Sequence, residues 1–248
     1  MLDSLQFILT ALGNAILNSL WQTGLLWLLV LLYSKLRVGP SRLSHLSFAA
    51  LVTGFAAFII TFCVSLLSPQ MNVGIFTLLY STGNLYSILF YSALAYVLLL
   101  AIPTVRLLFG IRNVYILRHR GLAKVPGHLK IFLLDASQYL GIKRKVKIFT
   151  STIISSPLTV GFIKPVILLP VAMINQLSMR EVEAVILHEL AHIRRNDYLK
   201  NVITQIILTV LYFNPFAKML AKMQNLEREK CADQWVLQFE YNHQMYAR

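Results

Sequence analysis

His188-Glu189-Leu190-Ala191-His192, followed about forty residues later by Glu229-Lys230-Cys231-Ala232-Asp233, decides how this chain is read. On a helix, residues four apart are offset by only about 40° and one turn of rise, so the imidazoles of His188 and His192 reach one point in space. Glu189 then projects beside that point, where a carboxylate can take a proton from water activated by a metal ion. The flanking residues predict the helix. Ser178-Met179-Arg180-Glu181 has capping-box spacing, and Val182, Val185 and Ile186 begin an apolar helical face behind it. Glu229 offers a third ligand. Two neutral imidazoles and one carboxylate leave zinc a fourth position, the open geometry of a catalytic site. Cys231 is a possible ligand by type, but Glu229 fits the pattern better and the thiol reads as buried and inert. The pattern predicts a zinc metalloprotease helix over about Met179–Arg195 and a last helix over about Phe216–Phe239.

The composition places that helix in a membrane protein. Of 248 residues, 57% are hydrophobic and only 13% charged, with a mean hydropathy of +0.64. Residues 1–105 hold just Lys35, Arg37, Arg42 and Asp3, and the other basic residues follow position 105. Phe7–Tyr33, Leu46–Leu67 and Leu85–Phe109 are each long and apolar enough to span a bilayer. The first is too long and too lightly basic at its start for a cleaved signal peptide. It carries Asn14, Asn18 and Gln22 at spacing four, a polar stripe that predicts packing against neighbouring helices rather than lipid. Pro103 predicts a kink in the third span.

The net charge of +13 could suggest nucleic acid. The basic residues flank apolar spans, however, and no basic stripe interleaved with aromatics is present, so the bilayer is the expected partner and no direct nucleic-acid contact is expected. Cys63 and Cys231 form no disulfide framework. The positive 34–45 loop against the uncharged 68–84 loop predicts an N-terminus outside and everything after about residue 110 in the cytoplasm. The organisation expected is a transmembrane region over 1–110 and a cytoplasmic α+β metalloprotease domain over 111–248, with a membrane-associated apolar segment at about 202–217.

Within that domain, Leu129–Leu140 reads as a helix closed by Gly141, and Val146–Thr150 alternates like a strand. Thr159–Leu169 reads as a second strand broken by Gly161 and Pro165, which confines it to a sheet edge. Gly161, Phe162 and Ile163 are therefore candidates for pairing with an extended substrate backbone. Val202–Phe213 is too short, at roughly 18–24 Å even when extended to Ala217, to cross a hydrocarbon core of ~30 Å. A crossing there would also separate Glu229 from the histidines, so the segment must turn back at Asn214-Pro215 or pack as a core helix.

Three spans, Ser155-Ser156-Pro157 leading to Gly161 and Pro165-Val166-Ile167-Leu168-Leu169-Pro170, then the HELAH helix, Asn214-Pro215 and Glu229…Asp233 together give a resemblance. The chain resembles the BlaR/MecR-type membrane metalloproteases, bacterial antibiotic-sensor transducers, and more distantly the HtpX and CAAX-prenyl endopeptidases of gluzincin type. The resemblance implies His188, His192 and Glu229 as ligands of one Zn²⁺, Glu189 as catalytic base, and Asp233 as a carboxylate orienting a ligating imidazole. It also implies a bacterial cytoplasmic membrane and a protein substrate that is a transcriptional repressor, the enzyme's own loop, or both. The antibiotic sensors of that family carry an extracellular sensor domain after a further span. This sequence stops at Tyr246-Ala247-Arg248 within a helical stretch, and so reads as a fragment or a shortened member.

An oxyanion-stabilising residue is expected but not assigned; Tyr198, Tyr241 and His243 qualify by type only. Two other functions fit parts of the pattern: a non-proteolytic transducer with a structural metal site, and a protease for membrane-protein quality control. An intact Glu189 argues against the first, because a structural site needs no base. The sequence leaves the oligomeric state open.

Overall fold

In the computed structural model, which describes residues 2–36, 38–67 and 84–246, three long helices come first: α1 (Leu2–Ser34), α2 (Pro40–Leu67) and α3 (Asn84–His119). All three are long and apolar enough to cross a membrane, and large side chains such as Leu25, Leu29, Ile60 and Leu98 stand exposed on them. Helix α3 continues through Pro103 to His119. The 68–83 connection, on which much of the orientation reading rests, lies outside the described residues.

A small sheet and five helices follow: β1 (Leu122–Ala123), α4 (Gly127–Tyr139), β2 (Lys147–Ser151), β3 (Leu158–Val160), β4 (Val166–Pro170), α5 (Val171–Gln176), α6 (Met179–Arg194), α7 (Asp197–Val210) and α8 (Pro215–Tyr246). Two compact units share these elements. One comprises residues 1–107 with 204–226, the other 108–203 with 227–248.

The first unit is held by the polar stripe on α1. Asn14 Nδ2 donates to Ser65 Oγ at 2.9 Å and Gln22 Nε2 to Thr61 Oγ1 at 3.2 Å, both on α2, while the buried Asn18 donates back to Asn14. Interhelical bonds of this kind hold helices together where lipid offers no hydrophobic gain for doing so. Small residues allow the approach. A Cβ on Gly54 would lie 2.4 Å from Thr23 Cγ2, and one on Gly13 would lie 2.3 Å from the Leu89 carbonyl oxygen.

The 202–217 run closes the same unit. Helix α7 ends at Val210, and the chain turns through Leu211–Asn214. Asn214 Oδ1 accepts from the amides of Phe216 and Ala217 at 3.0 and 3.2 Å, capping α8, and its Nδ2 donates to the Ser19 carbonyl and to Thr23 Oγ1 on α1. Thr204 then donates to Gln224 Oε1 at 3.0 Å, so α8 runs back beside α7. The run is thus a helix that reverses at Asn214-Pro215.

In the second unit the sheet order is β1-β2-β4-β3, with β2 and β4 parallel and the outer pairs antiparallel. Ile167 and Leu169 of β4 face a core with Leu129, Leu133, Ile148, Ile186 and Leu190, while Val166 and Leu168 face Val160 and Phe149 on the other side. Both faces are covered, which is why β4 reads as an unbroken apolar run. This corrects the expectation of one edge strand over Thr159–Leu169. The segment is a hairpin: β4 is central, β3 is the edge, and Gly161, Phe162 and Ile163 lie in the turn. Gly161, at φ +93°, and Pro165 are turn residues here rather than interruptions in a strand.

Candidate metal centre

Helix α6 begins with the capping box foreseen in the sequence: Ser178 caps the Glu181 amide and the Glu181 carboxylate reaches back to the Ser178 N–H at 2.7 Å. Those hydrogen bonds hold the Glu181 carboxyl below its ordinary range. One face of α6 is buried through Val182, Ile186 and Leu190, which fixes the helix rotation and turns His188 and His192 to the same side.

Their Nε2 atoms stand 3.1 Å apart, and Glu229 Oε2, brought back on α8, lies 3.5 Å from each. Ligand atoms about 2.0–2.2 Å from a common tetrahedral centre would stand roughly 3.3–3.6 Å apart, close to these separations, so the three suit one small cation. Two nitrogens and one carboxylate oxygen are the donor set that zinc accepts. Asp233, one turn further along α8, sets Oδ1 3.1 Å from His188 Nδ1.

Two contacts were not anticipated from the sequence. Asp197, buried at the start of α7, places Oδ2 2.9 Å from His192 Nδ1, with Lys200 Nζ 3.4 Å and Arg195 Nε 3.7 Å away. Each histidine thus has a carboxylate on Nδ1 and turns Nε2 towards the other. Thr159 Oγ1, on β3, donates to Glu189 Oε2 at 2.6 Å. The only signals for these were an Asp five residues after His192 and a Thr in a β-rich run, and neither type is distinctive at that spacing. Arg228 engages the second oxygen of Glu229 at 3.2 Å.

The electrostatics follow from these pairings. Burial acts to lower the His192 pKa, but hydrogen bonds to Asp197 and Glu229 overcome it and raise the value to about 9. Glu229 is pulled far below the carboxylate range by its hydrogen bonds to His188 and His192. Burial opposes ionisation of Asp197, yet the His192 bond and the Arg195 and Lys200 charges bring its pKa down. Two ionised carboxylates therefore flank His192, Glu229 on its Nε2 side and Asp197 on its Nδ1 side, an environment that favours positive charge at the centre.

A cavity of about 650 Å³ opens on these groups, walled on its apolar side by Pro157, Val185, Val236 and Leu237. Tyr198 packs with the apolar cluster behind β4. The side chains of Tyr241 and His243 lie outside the described ones. Cys231 is buried beside the centre and is not among its three donors.

Membrane-spanning helices joined to a domain that gathers such donors define the class of membrane metallopeptidases. The chain belongs to the BlaR1 peptidase M56 family, whose profile matches residues 8–248. It is 39% identical over 94 residues to the regulatory protein BlaR1 of Bacillus licheniformis, covering 38% of this chain and 16% of that protein. It is 29% identical over 102 residues to the methicillin resistance mecR1 protein of Staphylococcus aureus, covering 41% of this chain and 17% of that one. The matches thus span about a sixth of these relatives' length.

Proposed function

We propose that this chain is a zinc endopeptidase of gluzincin type that cuts a protein substrate at the cytoplasmic face of a bacterial membrane. The observation that carries this reading is the convergence of His188, His192 and Glu229 on one tetrahedral position, with Glu189 beside it in an open cavity. A zinc ion held there would polarise the scissile carbonyl and acidify a water molecule.

The remaining work falls to the chain's own residues. Glu189 takes a proton from the attacking water and delivers it to the leaving amine. Thr159 holds one oxygen of that carboxylate, leaving the other for the proton. Asp197 and Asp233 accept from the Nδ1–H groups and so fix the tautomer that presents both Nε2 lone pairs. Strand β3 ends the sheet, and its outer edge suits an extended substrate backbone, with Leu158–Val160 taking the part first given to Gly161, Phe162 and Ile163.

The names of the relatives speak of regulation and methicillin resistance, which favours signalling, by cleavage of a transcriptional repressor or of the enzyme itself, over housekeeping degradation. The basic 34–45 loop supports the N-terminus-outside orientation, with a membrane region over 1–110 and the protease over 111–248.

Metal analysis with cleavage assays on the purified protein tests the assignment. Glu189→Ala keeps zinc and loses proteolysis, whereas His188→Ala loses both. Normal cleavage by Glu189→Ala would refute the general-base role, and full zinc in His188→Ala would refute the ligand set.

A further inference from the structure

A groove of about 920 Å³ lies between α1 and α2, at the end where the two helices are joined. Its mouth is polar, formed by Tyr33, Ser41, Arg42 and His45, and its length is apolar, lined by residues such as Leu26, Leu29 and Ala49. Along α2 the wall runs from Ser41 to Thr53, about 18 Å at 1.5 Å per residue, which is roughly the depth of one leaflet of the hydrocarbon core. A polar end on an apolar channel of that length matches a phospholipid, and Tyr33 at the mouth is a residue type enriched at headgroup level.

Charge selects the kind of phospholipid. The unit that carries the groove, residues 1–107 and 204–226, contains six Lys and Arg residues and one acid, Asp3. Asp3 sits in the first turn of α1 and Tyr33 in its last, about 45 Å away along the helix. The exposed Arg42 guanidinium therefore stands at the mouth of the groove with no carboxylate from its own unit beside it. A phosphate matches the planar donor fork of arginine. Zwitterionic lipids bring a second cation to the same place, beside Arg42, and anionic lipids do not.

We infer that this groove binds one anionic phospholipid, its phosphate on Arg42 and one acyl chain along the α1–α2 wall. The site is separate from the metal centre and does not depend on its chemistry.

Native mass spectrometry of the full chain released from detergent tests this, with phosphatidylglycerol, phosphatidylcholine of the same acyl chains, glycerol phosphate and inorganic phosphate as probes. The wild type is expected to hold one phosphatidylglycerol about tenfold more tightly than phosphatidylcholine, with Arg42→Gln losing that preference. Ala49→Phe, which fills the exposed apolar wall, is expected to weaken both lipids. Arg106→Gln, a basic residue of the same unit outside the groove, keeps the preference. Equal binding of the two lipids by the wild type overturns the proposal. So does an unchanged preference in Arg42→Gln, an equal loss in Arg106→Gln, or occupancy by the tail-less phosphates as strong as by lipid. Circular dichroism establishes that each variant is folded; if Arg42→Gln is not, unchanged lipid binding by Ala49→Phe is sufficient to reject the site.

Discussion

Asp197 illustrates how one residue governs the centre without touching the position a metal would take. Its carboxylate is buried and faces the Nδ1 of His192, with Arg195 and Lys200 completing its surroundings. Asp197→Asn keeps the shape but removes the charge and makes the tautomer of His192 ambiguous. Metal affinity is expected to fall about 10–100-fold, as is usual when such an orienting partner is lost. Competition with a chelator of known affinity measures this, and an unchanged affinity would remove Asp197 from the orienting role. Asp233→Asn is expected to cost less, because the Asp233 side chain is two-thirds exposed and water can replace it on His188 Nδ1. Thr159→Val takes a hydroxyl from the buried Glu189 and is expected to destabilise the fold by about 1–3 kcal/mol in thermal or denaturant unfolding, with Thr159→Ser restoring most of it.

At the level of elements, legibility followed the strength of the local pattern. The three long apolar helices, the HELAH helix with its capping box, and the turn at Asn214-Pro215 are all readable, because each depends on contiguous residues: long apolar runs, a cap at fixed spacing, a helix-breaking proline. The β3–β4 hairpin departs from the single strand that the local pattern predicts. Val166–Pro170 gains its place by being covered on both faces, and no local rule gives the partner strands. The contacts of Asp197 and Thr159 have no local signature for the same reason, since their partners lie across the fold or beyond a helix end. Two predictions belong to this scale. In the capping box the Glu181 carboxyl is held below its ordinary value of 4.5 when folded, so its contribution to stability is present above that pH and lost as pH falls through the lowered value. Ser178→Ala removes the cause, and the fall in stability as pH drops below the ordinary carboxyl value of 4.5 should flatten. At the other helix start, Asn214→Ala removes the cap of α8 and both bonds to α1. A loss of about 1–2 kcal/mol is expected from the cap alone, together with weaker zinc retention, because α8 carries Glu229. Asn214→Asp keeps the cap acceptor and should recover part of the stability but not the bonds donated to Ser19 and Thr23.

For the whole molecule, the question is on which side of the bilayer the returning chain lies. Helix α7 has 14 residues, about 21 Å, too short for a hydrocarbon core of ~30 Å. The stretch that follows it carries Lys218, Lys222, Glu227, Arg228, Glu229 and Lys230, too many charges for a second crossing. The Thr204–Gln224 bond sets the two arms of the reversal side by side, so position 224 should be on the same side of the membrane as the start of α7. On the proposed orientation, in which the basic 34–45 loop faces the cytoplasm, that side is the cytoplasm. A reporter fused after Gln224 is therefore expected to read cytoplasmic. Cysteine labelling from outside should reach position 76 and miss position 40. An external signal after Gln224 from folded, zinc-loaded protein would place Glu229 across the bilayer from His188. A single ion needs both within about 2.2 Å, so that result would eliminate Glu229 as a ligand and leave the two histidines without their third donor.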